Sequence, residues 1–184
     1  GGAAGCFTQR ERESYLPGKF YIKVDSTQRA LRDLAKYYKK KFPIPVVALT
    51  GSVGKTTTKD MVAAVLGEKY RVLKTEGNLN NEIGVPMTLL RLSGEHEIAV
   101  LELGMNHAGE IDYLSALVEP DVVLMTNIGD SHIEHFGSRE KLLEAKSEIF
   151  HHVKSGAFVV INGDDPLLNT LPGKLPYAFT RVGA

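Results

Sequence analysis

The sequence predicts an α/β fold, a three-layer α/β/α arrangement around a mainly parallel sheet, on three observations. From Val46 onward, short apolar runs alternate with segments of helical periodicity, the pattern of parallel strands joined by crossover helices. The polar, glycine-bearing motifs fall just after the carboxyl ends of those runs, where open α/β sheets form their ligand crevice. A chain of 184 residues, 43% hydrophobic and 24% charged, is long and apolar enough to bury the core that such a sheet needs.

In chain order, residues 3–8 and 19–24 read as two short strands, separated by a polar stretch and the turn signal Pro17-Gly18. Asp25-Ser26-Thr27 offers N-caps for a helix whose apolar residues Leu31, Leu34, Ala35, Tyr38 and Phe42 recur at helical spacing. Pro43 and Pro45 end it. Strands are predicted at 46–50, 71–74, 98–103, 122–126 and 157–162, and helices at 55–67, 85–92, 109–118 and 139–153. A further strand is expected at 177–180.

The charge balance excludes a global pull towards nucleic acid or anionic lipid, because Lys+Arg and Asp+Glu are equal at 22 each. Small-molecule partners and a monomer are expected instead. The single cysteine, Cys6, rules out a disulfide framework and suits a reducing cytosol; it reads as a small core residue. No apolar run has the length to span a bilayer and no signal segment opens the chain, so a cytoplasmic place is expected. The start at Gly1-Gly2, without Met, suggests a cut within a longer protein.

The sharpest motif is the phosphate loop Thr50-Gly51-Ser52-Val53-Gly54-Lys55-Thr56-Thr57. It follows the apolar run Val46-Val47-Ala48-Leu49 and opens a helix. That order suits phosphate: small residues let backbone N–H groups approach its oxygens, the helix N-terminus adds positive potential, a lysine reaches the terminal phosphates and a threonine hydroxyl holds Mg²⁺. The common pattern has its first glycine where this chain has Leu49, so Gly51 makes a shorter form.

Glu102, at the carboxyl end of the run 98–101, is a magnesium candidate; a strand-terminal glutamate in a salt bridge is the structural alternative. The strand after it leads into Thr126-Asn127-Ile128-Gly129-Asp130-Ser131-His132, where His132 is a candidate metal ligand and Asn127 a candidate nucleotide contact. Lys146 sits in an apolar helical stripe with Leu142, Leu143, Ile149 and Phe150. Either its stem is buried with the ammonium in water, or burial yields a neutral amine that can act or be modified. Asn80 and Asn81, in an amide-rich loop, either satisfy their own backbone or contact substrate.

Taken together, Thr50–Lys59 (TGSVGKTTTK), Gly77–Pro86 (GNLNNEIGVP), Glu102–Ile111 (ELGMNHAGEI), Thr126–Gly137 (TNIGDSHIEHFG) and Glu144–Phe150 (EAKSEIF) resemble the Mur ligases, most nearly the branch that adds D-alanyl-D-alanine. The resemblance runs from about Val24 to Asp165. It implies a central ATP-binding domain with a phosphate-loop NTPase-like fold, in a ligase that phosphorylates UDP-N-acetylmuramoyl-tripeptide with ATP and lets D-alanyl-D-alanine attack the acyl phosphate. By the same resemblance Lys55 contacts the phosphates, Thr56 and Glu102 hold one Mg²⁺, and His132 helps hold a second. Lys146 is then carbamoylated and supports that second site, which requires it to face Lys55 across the crevice. Residues 1–26 become the remnant of a UDP-sugar-binding domain, 27–45 a helix and linker, and 46–184 an incomplete central domain that does not ligate alone. Two rivals are a folylpolyglutamate synthase-like ligase and a nucleotide-binding module without chemistry.

Overall fold

A computed structural model describes residues 2–11, 14–131 and 133–183. The glycine-bounded turn at 51–54 separates strand β3 (Val46–Thr50) from helix α2 (Lys55–Gly67), at the bounds the sequence predicts. The other main strands are β4 (Val72–Lys74), β5 (Ile98–Glu102), β6 (Val122–Met125), β7 (Phe158–Asn162) and β8 (Ala178–Val182). They form one six-stranded sheet in the order β4-β5-β3-β6-β7-β8, every neighbouring pair parallel. The phosphate loop thus leaves a central strand. Register aligns its carboxyl end with its neighbours', since Leu49 pairs with Glu102 of β5 and Thr50 with Met125 of β6.

The two-residue period of the strands sorts their side chains between two helical layers. Val46, Ala48, Ala99, Leu101, Val123, Met125, Val159 and Ile161 face the larger core. That core is completed by α1 (Thr27–Lys39), α3 (Gly84–Leu89), α4 (Glu110–Val118) and α6 (Arg139–Ser147), through residues such as Ala35, Leu89, Leu114 and Leu142. Val47, Leu49 and Val100 face the other way, against Ala63 of α2. On that second side Phe158 and Val182 stay exposed.

Helix α1 starts where Ser26 Oγ accepts the Arg29 N–H at 3.2 Å, an N-cap. Its Lys36 Nζ donates to Ala116 O at 2.8 Å and Lys39 Nζ to Val118 O, so two lysines close the last carbonyls of α4. Burial pushes the Lys39 amine down to about 8.

Three expectations are corrected. Cys6 is exposed, because it lies in the two-stranded parallel pair β1 (Gly5–Thr8) and β2 (Phe20–Lys23), which buries neither face fully. The helix expected over 139–153 ends at Ser147 and continues as a 3-10 turn, Glu148–His152. That turn is drawn onto α4: Ser115 Oγ donates to Ile149 O at 2.7 Å, and the Glu148 carboxylate accepts the N–H groups of Gly109 and Asp112. A four-residue helix α5 (Ile133–Phe136) lies where no element was expected. Among the described residues, no helix is long and apolar enough to cross a membrane.

Candidate active site

The carboxyl ends of β3, β5 and β6 bring the sequence candidates into one crevice. Glu102 is 1% exposed, and both its oxygens are engaged: Thr56 Oγ1 donates to Oε2 at 3.0 Å and Asn80 Nδ2 to Oε1 at 2.8 Å. Its backbone N–H is held by Thr75 Oγ1 at 3.0 Å. A salt bridge is therefore not what fixes this acid. Asn80 is clamped in turn, since its carbonyl accepts the Gly104 N–H at 2.7 Å and a Cβ on Gly104 would meet its amide at 2.8 Å. Asn81 behaves differently. Its Oδ1 accepts the N–H groups of Ile83 and Gly84 at 3.1 and 2.9 Å, opening α3.

The separation of Thr56 Oγ1 and Glu102 Oε2, 3.0 Å, is that of neighbouring corners of an octahedron whose metal–oxygen distances are about 2.1 Å. One carboxylate and one hydroxyl are hard donors that leave most positions to phosphate oxygens and water, as a small divalent cation prefers. Among the described residues no group of three or more His, Cys, Asp or Glu could enclose a metal by itself. The first candidate site fits a cation shared with a bound phosphate. His132, the candidate for a second site, lies outside the described residues.

Two lysines converge on one carbonyl. Lys55 Nζ donates to Gly51 O at 2.9 Å and to Ser52 O at 3.2 Å, and Lys146 Nζ donates to the same Gly51 O at 3.0 Å. Lys146 is 2% exposed, which excludes an ammonium reaching into water. Burial, reinforced by the Lys55 cation, pushes its amine down to about 7. Lys55 is lowered by burial and partly restored by Glu102. The Lys55 ammonium beside the α2 N-terminus makes a pocket electrostatically ready for phosphate.

The loop itself is shaped by its glycines. Gly51 (φ 152°) and Gly54 (φ 79°) bound Ser52 and Val53, and Gly54 caps α2. A Cβ on Gly51 would stand 1.9 Å from Thr126 Oγ1. Gly51→Ala is expected to destabilise the fold by about 2 kcal/mol or more, through strain and that clash; a thermal melt unchanged from the parent would contradict the geometry. The Ser52 hydroxyl is buried without a partner among the described residues, an orphan polar atom at the lip of the loop. Val53, Thr56 and Thr57, in the glycine turn and the first turn of α2, are exposed.

Sequence reasoning missed the supporting roles of four residues. Thr75 and Asp165 are buried and bond backbone groups, while Thr126 and Glu148, which lie within the motifs Thr126–Gly137 and Glu144–Phe150, reach across from other elements. For Thr75 and Asp165 the available signal was position, at or just after the carboxyl end of a strand.

A parallel sheet whose central strand ends in a glycine-bounded Lys-Thr loop, with a buried acid on the neighbouring strand end, defines a phosphate-loop α/β domain. More narrowly, the chain belongs to the Mur ligase family: residues 49–183 match the Mur ligase middle domain. It is 53% identical over 147 residues to the UDP-N-acetylmuramoyl-tripeptide--D-alanyl-D-alanine ligase of Bacillus subtilis, covering 80% of this chain and 32% of that protein. The crystal structure of MurF ligase from Thermotoga maritima in complex with ADP superposes with a TM-score of 0.89 at 35% identity, covering 99% of this chain and 42% of the other. A Mycobacterium tuberculosis folylpolyglutamate synthase, at 17% identity and a TM-score of 0.66 over 84% of this chain and 46% of that one, shares the fold alone. The chain spans about a third of the length of the curated relatives it matches.

Proposed function

We propose that this chain is the ATP-binding core of an ADP-forming amide ligase of peptidoglycan precursor synthesis, working in the cytoplasm on small-molecule substrates. The full-length enzyme joins D-alanyl-D-alanine to UDP-N-acetylmuramoyl-tripeptide. The observation that carries this reading is the joint placement of Thr56, Glu102, Lys55 and Lys146 around the loop at the end of β3. Relatives bearing that activity in their names, two of them at 53% and 43% identity, support the choice of substrates.

In this reading the N–H groups of residues 54–56 at the α2 N-terminus receive the ATP phosphates, and Lys55 leaves the Gly51 and Ser52 carbonyls to follow the γ-phosphoryl group. The tripeptide carboxylate attacks the γ-phosphorus, ADP departs, and an acyl phosphate forms. The D-alanyl-D-alanine amine then attacks the acyl carbon, expelling phosphate and losing a proton. Lys55 compensates the charge of the group in transit, the larger part of phosphoryl-transfer catalysis. Mg²⁺ held by Thr56 and Glu102 would neutralise phosphate charge. The neutral Lys146 amine can add CO₂ with loss of a proton, and the resulting carbamate, with His132, would offer oxygen and nitrogen donors to a second Mg²⁺.

Residues 1–26 we assign to a UDP-sugar-binding domain. The exposure of Phe7, Phe20 and Ile22 on β1 and β2 supports this, because so small a pair needs further chain to cover it. α1 belongs with the central core, through Ala35 and the two α4-capping lysines.

The test is ADP release by the full-length protein with ATP, UDP-N-acetylmuramoyl-tripeptide and D-alanyl-D-alanine. ADP should form only when both other substrates are present. Turnover of folate and glutamate alone would assign it to the folylpolyglutamate branch, and ATP binding without ADP formation would make it a module without chemistry.

A further inference from the structure

We infer that Thr126 and Asn127 are positioning residues that brace the phosphate loop, an inference that rests on the nucleotide-binding reading above. The loop has only Ser52 and Val53 between its two glycines, and both glycines hold positive φ. Glycines on either side make a hinge at each end, and so short a loop has little backbone of its own with which to fix its shape. The clamp comes from the neighbouring strand. Thr126 Oγ1 donates to Val53 O at 2.7 Å, while Asn127 Oδ1 accepts the N–H groups of Val53 at 3.0 Å and Ser52 at 3.2 Å. The Asn127 main-chain oxygen also accepts Ser52 N–H, at 3.0 Å.

The brace is anchored behind. Asp165, 8% exposed, accepts Ile128 N–H at 2.7 Å on one oxygen and Leu167 and Leu168 N–H at 2.9 and 3.0 Å on the other. A buried carboxylate that collects three backbone N–H groups holds the 126–128 segment against the end of β7. The contact with the phosphate loop is then rigid from behind, and the side-chain bonds of Thr126 and Asn127 set where the Ser52–Val53 peptide points. Asn127 acts through the loop and does not read the base or ribose.

This role predicts an effect on phosphate itself. In the full-length protein, Asn127→Ala and Thr126→Val should each weaken both ADP and inorganic tripolyphosphate by about tenfold and by matching factors, as for loss of bonds to a preorganised loop. KM for ATP should rise while KM for D-alanyl-D-alanine stays put. Thr126→Ser, which keeps the hydroxyl, should restore tripolyphosphate binding, and Thr126→Val is close enough in shape to keep the fold. Binding is read by calorimetry well below the melting temperature, so a purely structural role would lower the melt and leave both dissociation constants unchanged. ADP weakened without tripolyphosphate would mean a direct base or ribose contact and overturn the inference; tripolyphosphate constants within about twofold of the parent for both variants would overturn it as well. A parent protein that binds neither ligand would instead remove the nucleotide reading on which it stands.

Discussion

Lys55→Met in the full-length enzyme should lower kcat by about a thousandfold or more and weaken ADP severalfold, the scale of removing a charge aimed at a transferring phosphoryl group. The structure gives the reason in two parts. Lys55 is the cation nearest the loop, held in reserve on the Gly51 and Ser52 carbonyls, and it is the charge that offsets the buried Glu102. Lys55→Arg should recover little, because a planar guanidinium cannot occupy the space that a folded-back ammonium shares with Lys146. Steady-state kinetics with saturating substrates check both, and an arginine variant at near-parental kcat would contradict the shared-carbonyl geometry.

Lys146→Met should act in opposite directions on activity and stability. Activity is expected to fall by about a thousandfold, because the variant has no amine to carry a carbamate and no group to meet the phosphates from this side. Stability should rise. The fold disfavours charged Lys146, so between about pH 7 and the ordinary lysine value of 10.5 the unfolded chain holds more protons than the folded one, and the parent gains stability as pH rises through that window. Below pH 7 the full penalty is present, on the order of a few kcal/mol. Methionine removes it, so melting temperatures measured without nucleotide should show the variant's advantage at pH 6 and its near disappearance at pH 10.5. An advantage that grows with pH would mean that Lys146 is not held in its neutral form by burial.

The strand–turn–helix at 46–67 was legible to the residue because three sharp signals coincide: an all-apolar strand, a glycine turn and a Lys-Thr helix start. Glu102 was legible from its place at a strand end, and Lys146 from an apolar stripe that a charged residue interrupts. Less was legible where tertiary contacts decide. The stripe continues through Ile149 and Phe150, so periodicity extends the helix past Ser147, while bonds to α4 tighten the backbone there into a 3-10 turn. Asn80 and Asn81 are chemically identical neighbours, yet one reaches Glu102 and the other caps its own loop, a choice made by the turn and not by residue type. Thr126 stands in a recognisable motif, but its bond to Val53 O, like the bonds of Asp165, joins it to the backbone of a distant segment, and such partners leave no spacing pattern to find.

The central claim is that this crevice transfers a γ-phosphoryl group to a carboxylate. It is tested most directly by supplying the full-length enzyme with UDP-N-acetylmuramoyl-tripeptide labelled with ¹⁸O in its terminal carboxylate and following the label by mass spectrometry. One carboxylate oxygen leaves with phosphate when the amine displaces it, so the account predicts ¹⁸O in the released inorganic phosphate and ADP as the nucleotide product. Unlabelled phosphate, or label recovered in AMP, would contradict it.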